Sequence, residues 1–357
     1  MMLPPGSTIG MLGGGQLGRM FALAAARLGY RVHVYAPELD NPTEQVCDTA
    51  THAAYDDEVA LKAFAASVDA VTYEFENVPV TAAETIAALT PVRPAPEWLR
   101  VAQDRRREKA FVRAAGAETA PYQAIEQAAD MVGAAALLPG ILKTAQSGYD
   151  GKGQIRVANS GELAAAWDEL SQVPCVLESL VPFVCEVSVI VAGTADGTVR
   201  SFPVAQNEHS NQILSETNVP ADIPPATEAK AQALAESIAR HGGLEGLLAV
   251  EMFVLADGSL LVNELAPRPH NSGHWSMDAC ETDQFEQCVR AVCGLPLGGV
   301  GVLYPAKMIN LLGDDVERWP DILREPNARL HLYGKGEARP GRKMGHVNYI
   351  FPDQTPD

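Results

Sequence analysis

Two alternating apolar runs, 247–255 (LLAVEMFVL) and 260–265 (LLVNEL), flank Ala256-Asp257-Gly258-Ser259. Period-two alternation on both sides of Asp-Gly predicts an antiparallel hairpin, because glycine accepts the positive φ of a tight turn. A loop of two residues (Asp257, Gly258) or of four (256–259) gives one register. Leu255 faces Leu260, and counting back sets Glu251 opposite Glu264. Directly opposed residues have Cβ atoms about 4.5–5.5 Å apart, where like charges repel. Either one carboxyl is protonated, or a divalent cation lies between the two. The competing reading is a pair of glutamates on a solvated face with the register slipped by a bulge. Phe253 and Val262, placed on the same face, are apolar and count against full solvation. Mg²⁺ suits carboxylates that also hold substrate phosphates, so a nucleotide site is expected elsewhere in the chain.

The chain begins with a β-α-β pattern. Residues 8–12 form a short apolar strand, an Ala/Leu-rich helix follows Gly13-Gly14-Gly15-Gln16-Leu17-Gly18 to about Leu28, and 31–35 reads as a second strand. The glycines satisfy G-x-G-x-x-G, whose amides at a helix N-terminus favour an anion. Glu38 stands near where a dinucleotide fold places its ribose-binding acid, so a nicotinamide enzyme competes, although Ala36-Pro37 separate it from the strand. A third core strand, 70–75, ends in Glu74-Phe75-Glu76-Asn77, two carboxylates and an amide where open α/β sheets bind ligands. Pro91, Pro94 and Pro96 mark a linker, and a helix is predicted over 98–115.

A strand ending in Ile141-Leu142-Lys143-Thr144 leads into Ser147-Gly148-Tyr149-Asp150-Gly151-Lys152-Gly153-Gln154. Glycines there expose amides able to wrap phosphates, with Lys143 and Lys152 as cations. It is not a Walker A loop, since Gly153 and not Ser or Thr follows Gly151-Lys152 and no helix pattern begins. A strand at 173–177 places Glu178 at its end, ahead of Ser179, Leu180, Val181 and Glu186. Backbone groups and a carboxylate at a strand edge can read an adenine amine, and a second acid can take ribose hydroxyls. Residues 227–241 form a packing helix capped by Thr227 and closed by Gly242. Pro267-Arg268-Pro269-His270-Asn271-Ser272-Gly273-His274-Trp275 is rich in donors and too rigid and polar for core, unless it is a plain solvated loop. The last sixty residues read as a small β-rich appendage. Tyr333-Gly334-Lys335-Gly336 and Gly341-Arg342-Lys343-Met344-Gly345-His346 concentrate positive charge there, suited to gripping a phosphate.

At 357 residues and 47% hydrophobic content the chain can hold two or three packed domains. No run of 18 apolar residues and no signal-like N-terminus is present, which leads us to expect a cytoplasmic protein that does not engage membrane. The six cysteines (47, 175, 185, 280, 288, 293) include no Cys-x-x-Cys and are expected to be reduced, mostly buried thiols. A net charge of −18 opposes nucleic acid. The same field opposes ATP, so any phosphate site must be locally basic.

Taken together, GGGQLGRM, TYEFENV (72–78), QDR (103–105), GYDGKGQ, AVEMF, LVNE, APRPHNSGHW, YGK and GRKMGH resemble the ATP-grasp ligases, and among them the N5-carboxyaminoimidazole ribonucleotide synthetases. The resemblance covers nearly the whole chain. It implies an α/β protein, α+β overall: an N-terminal Rossmann-like parallel-sheet pre-ATP-grasp domain (1–97), a central ATP-grasp domain (98–296) with a mobile lid (about 118–180), and a small β-rich C-terminal domain (297–357). It implies ATP between lid and core. Arg105, Lys143, Lys152 and the loop Gly148, Tyr149, Asp150, Gly151, Gly153, Gln154 would face the phosphates. Glu178, Ser179, Leu180, Val181 and Glu186 would hold adenine and ribose, with His209 and Asn263 as further nucleotide contacts. Glu251 and Glu264 would ligate Mg²⁺, or Mn²⁺ in its place. The aminoimidazole ribonucleotide would rest against Gly14, Gly15, Gln16, Leu17, Glu74 and Glu76, with Tyr149, Asp150 and Lys152 from the lid and its phosphate on Lys335, Arg342 and Lys343. Arg268, His270 and Asn271 are candidates for bicarbonate and carboxyphosphate, with Lys143 and Lys152 completing the catalytic set. Lys152 stands where some members carry Arg. A homodimer is implied as well.

The implied reaction makes carboxyphosphate from ATP and bicarbonate, then transfers CO₂ to the exocyclic amine. Rivals are another ATP-grasp enzyme, such as a formate-dependent formyltransferase or a biotin carboxylase, a dehydrogenase on G-x-G-x-x-G, and a catalytically silent nucleotide binder. GGGQLGR, FENV and GRKMGH look unlike the first group, and intact Lys143, Glu251 and Glu264 argue against the last.

Overall fold

The computed structural model describes residues 2–147 and 153–354. Three sheets carry the architecture. The first is parallel, with strand order Thr49–Thr51, Arg31–Tyr35, Thr8–Leu12, Ala70–Tyr73. The order reverses beside Thr8–Leu12, so the turn after that strand and the turn after Ala70–Tyr73 open into one crevice at the strands' carboxyl ends. The strand expected over 70–75 stops at Tyr73, which leaves Glu74 and Glu76 in that turn. Helix Gln16–Arg27 follows the first turn. Its Leu17, Met20, Phe21, Ala24 and Ala25 recur at helical spacing and are all buried.

The second sheet is antiparallel and large. It runs Leu260–Ala266, Gly246–Leu255, Phe183–Gly193, Ala205–Ser210, Ile213–Val219, Ala306–Leu312, Lys343–Ile350, Ala328–Leu332, with Val199–Ser201 paired to Phe183–Gly193. Its middle is covered on both faces, which is why 187–192 is nearly all apolar and not alternating. Val187, Val189 and Val191 pack in the core containing Ala231, Ala235 and Ile238 of helix Pro225–His241, while Ile190 and Ala192 face Phe285, Val289 and Val292 of helix Gln284–Val292. Helix Gln284–Val292 also packs on helix Gln16–Arg27, tying the parallel sheet to the large one. Fully burying each of Phe21 and Phe285 there stabilises the junction by about 1.5–3 kcal/mol. The C-terminal strands are not a free-standing appendage. Ala306–Leu312 pairs with Ile213–Val219, so the large sheet continues across 296/297.

The third sheet, Tyr122–Ile125, Cys175–Ser179, Gly140–Thr144, Gln154–Val157, is antiparallel and has its own small core around Leu142, Leu163, Trp167 and Leu177. Several local expectations change. The helix expected over 98–115 is two, Pro96–Ala102 and Arg105–Ala114, because Asp104 breaks the run and caps the second by accepting from Arg106 N–H. Helix Pro225–His241 starts at the rigid Pro224-Pro225 pair, not at Thr227, which is buried in its first turn. All six cysteines are free, four of them buried. Among the described residues no helix is long and apolar enough to cross a membrane.

The hairpin forms, with Glu251 opposite Glu264. Two departures from the expected register cancel. The turn is neither two nor four residues: Leu255 pairs with Ser259, and Gly258 at φ +77° closes a three-residue loop, so Val254 and not Leu255 faces Leu260. A bulge at Asn263 then adds one residue on the second strand and restores the Glu251–Glu264 pair. Between turn and bulge the faces are exchanged, and Val262 lies in the core with Val250 and Met252 instead of beside the glutamates.

Candidate active site

One cavity of about 1090 Å³ lies where the three sheets meet. At one end are Gln16, Leu17, Glu74, Phe75, Glu76 and Asn77 from the parallel sheet. The third sheet contributes Ile141, Lys143, Gln154 and Arg156. The large sheet supplies Glu186, His209, Glu251, Phe253, Asn263, Glu264 and Lys343, and Arg105, Leu180, Val181, Arg268, His270 and Asn271 complete the wall. Of the residues singled out from sequence, Gly14, Gly15, Gly153, Glu178, Ser179, Lys335 and Arg342 do not line it. Gly148, Tyr149, Asp150, Gly151 and Lys152 lie outside the described residues.

The glycine-rich turn already has its anion. Glu74 accepts from the amides of Gly15 and of Gly18, the latter at 3.0 Å, at the start of helix Gln16–Arg27. A Cβ at Gly14, Gly15 or Gly18 would stand 2.2, 2.5 or 2.4 Å from Asn41, Glu74 or Thr43 respectively. The glycines therefore admit the protein's own side chains, and the dinucleotide-pyrophosphate reading fails. Burial raises the Glu74 carboxyl, against the two amides. Glu76 pairs with Arg268; burial raises its carboxyl too, but the guanidinium outweighs that and holds it low.

The strand expected over 173–177 runs two residues further along the chain. Glu178 sits inside strand Cys175–Ser179, buried, with Lys143 Nζ at 3.0 Å and Lys109 Nζ at 3.1 Å. Burial raises its carboxyl, and the two ammonium groups more than reverse this. Lys109 was missed from sequence. It lies four residues after Arg105, one helical turn along the face that meets the cavity, and that spacing was the available signal. Lys143 points from this pair to the cavity wall, and Arg105 Nη1 stands 3.9 Å from Glu264. His209 pairs with Glu186 at 2.9 Å; burial lowers its imidazole, and Glu186 raises it by more.

Glu251 is pushed up to about 7, first by burial and then by Glu264 across the hairpin. His270 Nε2 lies 3.1 Å from it, and burial with Arg268 nearby keeps the ring neutral. The segment around His270 is not a solvated loop: 271–275 are buried, with Gln284 bridging His270 and His274 through its amide. Lys335 donates to the Lys343 carbonyl at 2.7 Å, and Arg342 donates to Glu337 O. Among the described residues no group of three His, Cys, Asp or Glu side chains is arranged to hold a metal alone. Two facing carboxylates on a wall shared with Arg105 and Lys143 fit Mg²⁺, which keeps open positions for water and further oxygen ligands.

Known families match along the chain in three blocks: a ribonucleotide synthetase preATP-grasp domain at 6–103, an ATP-grasp domain at 110–285, and a phosphoribosylaminoimidazole carboxylase C-terminal domain at 306–355. The N5-carboxyaminoimidazole ribonucleotide synthase of Brucella melitensis biotype 1 is 49% identical over 354 residues, 98% of each chain. A bifunctional purine synthesis protein purC/E of Dictyostelium discoideum is 45% identical, and this chain spans 37% of its length. A solved N5-carboxyaminoimidazole ribonucleotide synthetase in complex with ADP superposes with TM-score 0.94 at 44% identity, covering 98% of this chain and 94% of the other. An Aspergillus clavatus N5-carboxyaminoimidazole synthase in complex with ADP and 5-aminoimidazole ribonucleotide superposes with TM-score 0.91 at 31% identity, covering 98% and 94%.

Proposed function

Because the chain belongs to the N5-carboxyaminoimidazole ribonucleotide synthase family of ATP-grasp ligases, we propose that it uses ATP and bicarbonate to carboxylate the exocyclic amine of 5-aminoimidazole ribonucleotide in purine biosynthesis. The observation that supports this most directly is the cavity itself. Cations for a triphosphate, Arg105 and Lys143, line it together with the facing Glu251 and Glu264, and Glu74, Glu76 and Lys343 line the same cavity.

In this reading a bicarbonate oxygen attacks the γ-phosphorus and ADP leaves, giving carboxyphosphate. The amine nitrogen then takes the carboxyl carbon as phosphate departs, and the amine loses a proton. Lys143 and Arg105 stabilise charge moving onto the leaving ADP. Lys143 is held at the cavity wall by its ion pair with Glu178, whose other carboxylate oxygen is taken by Lys109, and Glu178 stays with Ser179, Leu180 and Val181 as a proposed adenine contact. Glu251 and Glu264 would hold Mg²⁺, with Mn²⁺ an oxygen-liganded substitute, and the ion would supply neutralisation of the phosphate charge. Leu180, Val181 and Phe253 offer apolar surface for adenine, with Glu186, His209 and Asn263 beside it.

Arg268, fixed by Glu76, together with His270 and Asn271, holds the bicarbonate-derived group. Gln16, Leu17 and Glu76 face the ribonucleotide, and Lys335, Arg342 and Lys343 take its phosphate. We place this activity in the cytoplasm and in a homodimer, with the three-domain division at 97/98 and 296/297 as one of sequence blocks, since the large sheet runs on across the second boundary. Steady-state ADP release from Mg·ATP tests the function. Release requiring both the ribonucleotide and bicarbonate is expected; release that ignores either would remove that substrate from the scheme.

A further inference from the structure

Behind His270 a row of buried polar side chains runs through the middle of the large sheet. Thr217 Oγ1 donates to Asn207 Oδ1 at 3.0 Å, Asn207 Nδ2 to Ser188 Oγ at 2.9 Å, and Ser188 Oγ to Ser272 Oγ at 2.7 Å. Ser272 Oγ lies 2.8 Å from His270 Nδ1. Thr217, Asn207 and Ser188 come from three adjacent strands, and all four residues are buried. Polar groups in such a place are costly unless every one is satisfied.

The row has a direction. The backbone N–H of Ser272 also points at His270 Nδ1, at 3.3 Å. A backbone amide can only donate, so Nδ1 accepts. The oxygens of Ser188 and Ser272 each accept from the preceding donor, so each hydroxyl hydrogen passes on toward His270. With Nδ1 taken as an acceptor, the proton of the neutral ring resides on Nε2, which stands 3.1 Å from the Glu251 carboxylate at the cavity wall. Ser188 is also the ladder partner of Glu251 across the neighbouring strands, so both ends of the imidazole are referred to the same strand pair.

We propose that Thr217, Asn207, Ser188 and Ser272 are positioning residues that hold His270 as its Nε2–H tautomer, making it a hydrogen-bond donor to the cavity and excluding it as the base that takes the amine proton. A base at Nε2 needs a lone pair there, and two donors converging on Nδ1 place the hydrogen at Nε2 instead. The part of this inference that concerns turnover rests on the carboxylation proposed above; the tautomer itself does not.

The test uses the full chain labelled with ¹⁵N-histidine. Long-range ¹H–¹⁵N correlation separates the two tautomers, and the His270 signals are assigned by their loss in His270→Asn. The wild type is expected to show the Nε2–H pattern. Ser188→Ala, which cuts the row at its centre and leaves the Ser272 amide alone to oppose the Nδ1–H form, is expected to raise the share of that form above that of the wild type and to lower kcat about tenfold, a loss usual for supporting hydrogen bonds, with KM for ATP unchanged. Ser272→Ala cuts the same row at a second point and serves where Ser188→Ala fails to fold. An Nδ1–H ring in the wild type overturns the proposal, as does wild-type tautomer and kcat in both variants. Absence of ribonucleotide-dependent ADP release from the wild type would sink the proposed function while leaving the tautomer measurement able to decide this one.

Discussion

Glu251 gives the proposed metal site a proton signature. Its carboxyl is pushed up to about 7 by burial and by Glu264 opposite, so in the free enzyme at pH 7 it is about half protonated. A carboxylate that ligates a cation must be ionised, so binding displaces that proton. Saturating the protein with Mg·ATP should therefore release about 0.5 proton per chain at pH 7, about 0.9 at pH 6 and about 0.1 at pH 8. The same competition weakens the apparent affinity about tenfold between pH 8 and pH 6. Isothermal titration calorimetry in buffers of different ionisation enthalpy reads the proton count as the slope of heat against buffer enthalpy. With Mg²⁺ in excess, so that the nucleotide itself does not titrate, the slope should fall from pH 6 to pH 8 and be smaller at pH 6 in Glu251→Gln, where Glu108, pushed up to about 8 by burial and by Glu264, is the remaining source of protons. A slope of zero at pH 6, or proton uptake, would refute the reasoning that these two carboxylates share a cation.

Glu264→Gln should lose most turnover while keeping its melting profile; near-normal Mg·ATP turnover would remove Glu264 from the metal site. Glu178→Gln leaves Lys109 and Lys143 buried without their counter-charge and should cost about 3–5 kcal/mol in urea unfolding. Lys109→Met should cost less, because Glu178 retains Lys143, and equal losses would show that the three do not act as one cluster. Lys335 is pushed down to about 8 by burial and by Arg342, so it sheds its charge as pH rises through that value. KM for the ribonucleotide should rise above pH 8 while KM for ATP does not follow; a ribonucleotide KM flat to pH 9 would take Lys335 out of the phosphate site.

Much of this was legible in the sequence, for reasons that can be separated. Period-two alternation placed the hairpin and both glutamates, yet the register argument reached Glu251–Glu264 through two departures that cancel, since alternation cannot locate a bulge such as the one at Asn263. The same blindness put Val262 on the wrong face. G-x-G-x-x-G correctly announced amides at a helix start, but a motif carries no information about which anion arrives, and here Glu74 comes from 56 residues beyond Gly18. Glu178 and Lys109 illustrate the other limit. Their meeting depends on helix Arg105–Ala114 lying against the third sheet, a tertiary fact with no local mark beyond the Arg105–Lys109 spacing. The polar segment 267–275 was legible as special but not as buried, because Gln284, Ser188 and Asn348 satisfy it from distant strands and helices.

The strand order of the large sheet also sets a timetable. Lys343–Ile350 lies between Ala306–Leu312 and Ala328–Leu332, so the strand that is synthesised earlier, Ala328–Leu332, has no sheet neighbour until the later one arrives. Lys343, at the start of that later strand, is part of the cavity wall. On a ribosome adding about 5–20 residues per second, the hairpin of Glu251 and Glu264 is complete well before the cavity is, and the nascent chain carries facing carboxylates with an open wall. The wall is completed only when Lys343, the last of its lining residues in chain order, has been added.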